Sequence, residues 1–201
     1  MRADAIVLGI AGILFGVIVG WVLGSQQAAR TPREAAPVVQ AAAAQQPPQS
    51  QAVPLDAARV KTLEAAAASN AKDVQSRVQL GNMYFDAEQY PQAIAWYEQA
   101  LALNPNDPNV STDLGVAYYY TNQPDRALKQ FDHSLAVDAK HIKTLLNVGI
   151  VRAFGKQDLN GAARAWQQVV DLSPDSPEGQ AARKGLEGIK SAHPDAASGG
   201  K

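Results

Sequence analysis

Cysteine is absent from the 201-residue chain, and histidine occurs only three times at scattered positions. Disulfides, thiolate chemistry and cysteine-ligated zinc or iron–sulfur sites are therefore excluded, and a histidine metal site is not expected. Charge of one sign is not in excess, since 18 Lys and Arg face 19 Asp and Glu, which argues against a general nucleic-acid binder. Aromatic residues are scarce at 6%, although the hydrophobic fraction is 46%, and alanine makes up the difference. This composition favours an all-α fold over an all-β fold. We expect no bound metal and no cofactor.

The sequence also lacks the common catalytic motifs. It contains no P-loop, G-x-S-x-G, H-E-x-x-H or Rossmann glycine pattern, and Gly185 and Gly188 are too isolated to cradle a phosphate. We expect His133 and His141 to be surface residues rather than catalysts. Three aspartates stand at predicted helix starts and are interpreted as N-caps: Asp56, Asp107 and Asp125. The sequence therefore predicts a protein that is not an enzyme and has no catalytic residues.

Residues 5–24 form the one long apolar run, which follows a short tail at 1–4 and contains no charge. As a helix this run would be about 30 Å long, which matches the hydrocarbon core of a bilayer. A cleaved signal peptide would have a shorter apolar run of about 7–15 residues and then a small-x-small site. Here Gln27 stands where the small residue before the cut is expected. We therefore predict an uncleaved, single-pass transmembrane anchor, with Trp21 at the interface.

Glycine recurs every fourth residue within this predicted span, at Gly12, Gly16, Gly20 and Gly24. Such a stripe lets a second membrane helix approach closely, which predicts a homo-oligomer or docking to another membrane protein. The alternative is that glycine is simply common in membrane helices. The few Lys and Arg residues that flank the span, Arg2 before it and Arg30 and Arg33 after it, leave its orientation nearly undecided or favour slightly a C-terminus on the inside.

A linker is predicted over 25–54, where thirty residues contain nine Ala, seven Gln and five Pro without apolar periodicity. Such a segment cannot bury a core, and we expect it to be a disordered tether. Tethers of this composition are frequent in bacterial envelope proteins. By that analogy we expect an anchor in the bacterial inner membrane and a periplasmic domain behind it.

The remaining sequence repeats with a period of 34 residues. Gly81, Gly115 and Gly149 are 34 residues apart, and an alanine follows each glycine after twelve, twelve and thirteen residues. Four residues after each alanine stands an aromatic residue, in the order Tyr97, Phe131 and Trp166. We assign the extra residue of the third unit to a turn at 155–160.

This pattern resembles the tetratricopeptide repeat family, whose unit is a helix–turn–helix of 34 residues, and it covers about 74–176. Ser134, Ala139 and Arg152 depart from the usual alanine, proline and aromatic residue of that pattern. The resemblance implies an all-α helical-hairpin solenoid of eight helices behind the transmembrane helix. Its predicted segments are a leading half repeat at 55–73, repeats at 74–107, 108–141 and 142–176, a capping helix at 177–190 and a disordered tail at 191–201.

In this family the first helices of the repeats line a concave groove that binds extended peptides or partner helices. The resemblance implies a protein or peptide partner for this chain. The alternative for some of the groove positions is packing against neighbouring repeats. The candidate groove residues are Val78, Asn82, Phe85, Asp113, Val116, Tyr119, Tyr120, Lys143, Asn147, Ile150 and Phe154.

Chaperone-binding members of the family hold a C-terminal carboxylate with five basic and amide positions. The residues of this chain at those positions are Val78, Asn82, Asp113, Lys143 and Asn147, and only two of them match the family pattern. Asp113 places a negative charge where the carboxylate would lie, which is repulsive. We therefore expect no specific binding of acidic chaperone tails.

Three functions fit these observations. The first is a membrane-anchored adaptor that binds partners in the groove. The second resembles the repeat domains of bacterial cytochrome c maturation factors, which present apocytochrome to the haem-attachment machinery. The third is a structural oligomer assembled through the glycine stripe of the transmembrane helix.

Overall fold

The computed structural model describes residues 53–192, which form eight helices and no strand. The bounds are α1 Ala57–Ser69, α2 Val74–Asp86, α3 Tyr90–Leu103, α4 Pro108–Tyr120, α5 Pro124–Val137, α6 Ile142–Ile150, α7 Leu159–Leu172 and α8 Pro177–Ala192. Helices α2–α3, α4–α5 and α6–α7 are three successive hairpins, with α1 before them and α8 after them. This confirms the predicted all-α repeat solenoid.

The N-terminal predictions concern a part of the chain that the structure does not describe. The span at 5–24 with its four glycines, the linker up to residue 52 and the tail from 193 onwards lie outside the described residues. Within 53–192, no helix has both the length and the apolar character needed to cross a bilayer.

Aspartate side chains fix the starts of four helices. Asp56 and Asp73 each accept a backbone N–H at 3.0 Å at the start of α1 and α2. Asp107 caps α4 through two backbone N–H groups, and Asp158 caps α7 through the N–H of Gly161 at 2.8 Å. Each bond satisfies a backbone donor that the first helical turn leaves without a partner. The prediction for Asp125 was wrong, because Pro124 begins α5 and Asp125 lies inside its first turn.

The two helices of each repeat are held together by a glycine on the first and an aromatic ring on the second. The rings of Tyr97 and Phe131 are almost fully buried, and they lie directly against Gly81 and Gly115. A methyl group added at either glycine would overlap the ring. Trp166 lies in the same way on Gly149 in the third repeat, as the sequence pattern predicted. The alanines that precede the rings by four residues are fully buried: Ala93, Ala127 and Ala162.

A left-handed residue makes the turn within each repeat. Glu88, Asn122 and Gln157 have φ values of 57°, 59° and 56°, and each precedes the buried alanine of its repeat by five residues. In the first two repeats the next backbone N–H closes the end of the first helix, as from Gln89 to the Tyr84 carbonyl at 2.8 Å. The turns are therefore built alike although none contains glycine at this position.

The extra residue of the third repeat does not lie in the turn where we expected it. The spacing from Gln157 to Ala162 equals that in the other repeats, so the insertion lies before Gln157. There α6 continues as a π-helical segment at Val151–Gly155, in which the N–H of Lys156 donates to the Val151 carbonyl at 3.0 Å. One wide turn takes up one residue without changing the turn that follows.

The two ends of the repeat stack are each covered by a single helix. Val60 and Leu63 of α1 pack on the fully buried Leu80. At the other end Ala182 is buried, and Gly185 of α8 lies against the Trp166 ring. The outer face of α8 is polar, which is what a solenoid terminus requires, whereas that of α1 mixes polar residues with alanine.

Repeats 2 and 3 meet at a buried cluster of hydroxyl groups. Thr112, Ser134 and Thr144 are fully buried and lie 2.6–3.1 Å from one another. Thr112 and Ser134 both donate to the Pro108 carbonyl, so the buried oxygens are satisfied. His141 is half-buried rather than a simple surface residue, because its Nδ1 lies 2.6 Å from Thr144 Oγ1. Ser134, which replaces the usual alanine, therefore joins the two repeats by hydrogen bonds.

Candidate peptide-binding face

The first helices of the three repeats keep only part of their surface in solvent, namely along α2, at Asp113 and the end of α4, and at the start of α6, and we call this surface the first-helix face. Phe85 of α2 reaches Tyr120 of α4, with ring centroids 5.9 Å apart. Lys143 of α6 reaches Asp113 of α4, with Nζ 2.8 Å from Oδ1. These two contacts join the three helices along the face.

An aromatic cluster occupies the part of the face between repeats 1 and 2. Tyr90 and Tyr120 are stacked, with centroids 4.7 Å apart and planes inclined by 8°, and Phe85 meets both of them edge to face. Tyr119 lies 6.0 Å from Tyr120. All four rings are half-buried and thus keep part of their surface in solvent. Tyr90 was missed by the sequence analysis, because it begins α3 and therefore belongs to no first helix.

Polar side chains lie beside this cluster on the same face. Asn82 is exposed, and its Oδ1 accepts a hydrogen bond from the buried Tyr97 hydroxyl at 2.8 Å. The Asn147 amide donates to the Lys143 carbonyl at 2.8 Å. The Tyr97 hydroxyl therefore orients the Asn82 amide, and the Lys143 carbonyl orients the Asn147 amide.

Two carboxylates lie on the face between repeats 1 and 2, and one of them is paired with Lys143. Burial raises the pKa of Asp113, although the Lys143 ammonium acts in the opposite direction. Burial also raises the pKa of Asp86, and the nearby Asp113 carboxylate adds to this shift. Burial contributes most to raising the pKa of Tyr120 to about 12, and the Tyr120 hydroxyl therefore stays neutral near pH 7. Asp86 was missed by the sequence analysis, because α2 ends at this residue.

The chain matches the TPR repeat profile over residues 81–122. Three solved structures share the arrangement of helices described above. The described domain has the tetratricopeptide repeat fold. The first structure is the TPR domain of Sgt2 from Aspergillus fumigatus, at 26% identity and a TM-score of 0.56, with 64% of this chain and 84% of that chain covered.

The second similar structure is the first TPR of Spaghetti (RPAP3) bound to the HSP90 peptide SRMEEVD. It is 24% identical with a TM-score of 0.56, and the match covers 61% of this chain and 94% of that chain. The third is the type III secretion chaperone SycD of Yersinia enterocolitica in complex with a peptide of the translocator YopD. It is 17% identical with a TM-score of 0.56, and the match covers 62% of this chain and 97% of that chain. No curated protein matches the chain.

Three of the five positions at which chaperone-binding relatives hold a carboxylate do not suit an acidic tail in this TPR domain. Val78 is apolar, and Lys143 is paired with Asp113. An incoming carboxylate would meet the Asp113 charge and compete with it for Lys143. The expectation that acidic chaperone tails do not bind remains a prediction.

The remaining candidate residues differ in exposure. Val116, Asn147 and Ile150 retain only 5%, 9% and 8% of their surface, so packing accounts for them. Val78 is half-buried and packs on the core, whereas Phe154 in the π-helical segment is 40% exposed. The part of the first-helix face that is available to a partner therefore centres on Phe85, Asn82, Tyr119 and Tyr120. Their role in binding remains a prediction. Within residues 53–192, no group of three His, Asp or Glu side chains is placed to hold a metal ion.

Proposed function

We propose that this protein is an interaction scaffold whose first-helix face binds an extended peptide or a helix of a partner protein. The observation that carries the proposal is the aromatic cluster, in which Phe85, Tyr90, Tyr119 and Tyr120 keep part of their ring surface in solvent. Contiguous aromatic surface that a fold leaves uncovered is typical of a binding site, and tyrosine gives large contact area at a low entropic cost.

Contacts between repeats within this face also favour binding. Tyr90 and Tyr120 are stacked across two repeats, and the Lys143–Asp113 ion pair joins the next two first helices. Side chains that already contact one another lose less freedom when a partner binds, which lowers the entropy cost of association.

The solved structures of the same fold support this class of function. The RPAP3 domain and the chaperone SycD are each described with a bound peptide. At their low sequence identity to this chain, these structures show a shared fold and do not identify a shared partner. The proposal for this chain is therefore a protein-binding scaffold without a named partner.

We test the scaffold function with the double variant Tyr119→Ala/Tyr120→Ala in the full-length chain. Crosslinking in cells and quantitative mass spectrometry should show that the variant loses the partners that the wild type captures. The matched control is Leu103→Ala/Val137→Ala, which removes exposed side chains from the second helices α3 and α5. Equal partner capture by the Tyr119/Tyr120 variant, with its helix content unchanged by circular dichroism, would show that the face is not the binding site.

We further propose that residues 5–24 anchor the protein in a bacterial inner membrane and that the TPR domain is periplasmic. The support is the uncharged twenty-residue run and the Ala/Gln/Pro-rich linker behind it. Alkaline carbonate should leave the full-length protein in the membrane fraction, whereas a chain that begins at Ser25 should be released. Protease added to spheroplasts should degrade the TPR domain, and protection of that domain would place it on the cytoplasmic side.

A further inference from the structure

We propose that the first-helix face selects a peptide segment that presents a Lys or Arg side chain between apolar residues. This inference rests on the peptide-binding function proposed above and specifies the chemistry of the ligand. Charge complementarity carries it, together with the aromatic surface that surrounds the charge.

The first step of the argument is the net charge of the face between repeats 1 and 2. Asp86 stands at the end of α2 and Glu88 in the turn after it. Asp113 of α4, in contrast, is paired with Lys143, which leaves a net negative charge at this place. Asp86 is half-buried beside the aromatic cluster, and no ion pair of Asp86 is found among the described residues. Burial raises the pKa of Asp86, and the Asp113 carboxylate, which has the same sign, adds to this shift. A cation from a partner would offset both the desolvation cost and the repulsion at the Asp86 carboxylate.

The second step is where the basic side chains lie. Arg77 donates to the carbonyls of Ala67 and Asp73 near the start of α2. Arg126 stacks on the Tyr118 ring, 4.0 Å from its centroid, and pairs with Glu98.

Two further cations are directed to other partners. Arg59 lines the same shallow depression as Asp86, but its guanidinium donates to Gln79 Oε1 at 2.8 Å. Lys143 is held by Asp113. Within residues 53–192 no cation forms an ion pair with Asp86, so a basic side chain of the ligand would be its first such partner.

The third step is the aromatic surface beside the carboxylates. Glu88 lies close enough to the cluster that its charge raises the pKa of both Tyr90 and Tyr120 after the effect of burial. Aromatic faces flanked by carboxylates attract guanidinium and ammonium groups by cation–π and ionic interactions together. The apolar remainder of the rings accommodates the aliphatic neighbours of the basic residue in an extended peptide.

The test is a selection of random twelve-residue peptides, displayed on phage, against the immobilised full-length protein in detergent. Enriched peptides are expected to share a Lys or Arg flanked by apolar residues and to lack acidic C-termini. Enrichment of neutral or acidic peptides that the Tyr119→Ala/Tyr120→Ala variant no longer binds would overturn this inference and leave the scaffold function standing. Enrichment of no peptide, or of peptides that this variant still binds, would overturn both.

A charge-neutral variant then tests the role of Asp86 directly. Asp86→Asn should bind a synthetic copy of the most enriched peptide about tenfold more weakly, as expected for the loss of one charge-assisted contact. Asp132→Asn is the matched control, because Asp132 is exposed on α5 away from the face, and it should bind as the wild type does. The wild-type affinity should also fall with added salt, and more steeply than that of Asp86→Asn. Equal affinities and equal salt dependence for Asp86→Asn and wild type would show that the carboxylate does not select the ligand.

Discussion

At the scale of single residues, the closest packing in the molecule depends on glycines that carry no functional group. The rings of Tyr97, Phe131 and Trp166 differ in size, yet each lies on the glycine of its own repeat. The Trp166 indole additionally donates to the Leu146 carbonyl at 3.1 Å. Because glycine has no Cβ, the two helices of each repeat can approach closely at this point. The size of the aromatic ring then adjusts the fit in each repeat.

We predict that Gly115→Ala destabilises the domain although alanine is the better helix former. The added methyl group would overlap the Phe131 ring, and overpacking of this kind costs about 1–3 kcal/mol. Urea unfolding followed by circular dichroism measures the free energy of unfolding. The control Gly188→Ala, where no atom lies within 4 Å of the new methyl group, should gain roughly 1 kcal/mol or less. A Gly115→Ala variant as stable as the wild type would contradict the proposed contact.

A second residue-scale prediction concerns His141 and pH. Burial lowers the pKa of His141 in the folded state, and the nearby Asp138 only partly opposes this. In the unfolded chain the group titrates near the ordinary value of about 6.5. As the pH falls, the unfolded state therefore binds the proton before the folded state does. The contribution of His141 to the free energy of unfolding is complete above about pH 6.5 and is lost as the pH falls through that value.

The measurement for His141 is urea unfolding between about pH 7.5 and pH 5, combined with NMR titration of the imidazole signals. The wild type should lose stability over this range, and His141→Gln should lose less. His133→Gln is the control, since His133 is exposed and contacts only the Pro105 carbonyl at 2.8 Å. A His141 midpoint above the ordinary value would contradict the prediction.

At the scale of helices and turns, the repeat keeps its turn constant and changes its helices instead. Glu88, Asn122 and Gln157 hold the same left-handed position five residues before the buried alanine. The inserted residue of repeat 3 widens the end of the first helix, at Val151–Gly155. A helix end accepts a π turn because one shifted hydrogen bond suffices, whereas a longer turn would displace the start of α7.

These turns predict a stabilising substitution. Gln157 has a φ of 56°, and a side chain in this conformation costs roughly 1–2 kcal/mol that glycine avoids. Since glycine loses more backbone entropy on folding, we expect Gln157→Gly to gain a net amount of about 0.5–1 kcal/mol. Thermal unfolding should show a raised midpoint. Gln168→Gly, in the exposed middle of α7, should lower it, and equal effects of the two substitutions would argue against the left-handed turn.

At the scale of the whole domain, the sequence predicted the succession of helices but not the contacts between repeats. A 34-residue period with glycine and an aromatic residue determines which two helices pair, because that contact is local and repeated. The stacking of Tyr90 on Tyr120 and the environment of Asp86 depend on how one repeat lies against the next, which periodicity does not specify. The hydrogen bonds of His141 were missed for the same reason, since Thr112 and Thr144 come from different repeats. The anchor and the linker remain predictions.

The end of the stack gives a prediction for the domain as a whole. Trp166 is only 3% exposed and lies against Gly185 of α8, so a chain that ends at Ser176 would expose the indole and the last repeat. In a Trp21→Phe/Trp96→Phe background, where Trp166 is the remaining tryptophan, this truncation should shift the fluorescence to longer wavelength and lower the unfolding midpoint. Because each repeat is stabilised by its neighbours, the loss should spread inward from repeat 3. Glu187→Ala changes only the exposed side of α8 and should leave both measurements as in the parent protein. Unchanged fluorescence in the truncated chain would mean that α8 does not cap the solenoid.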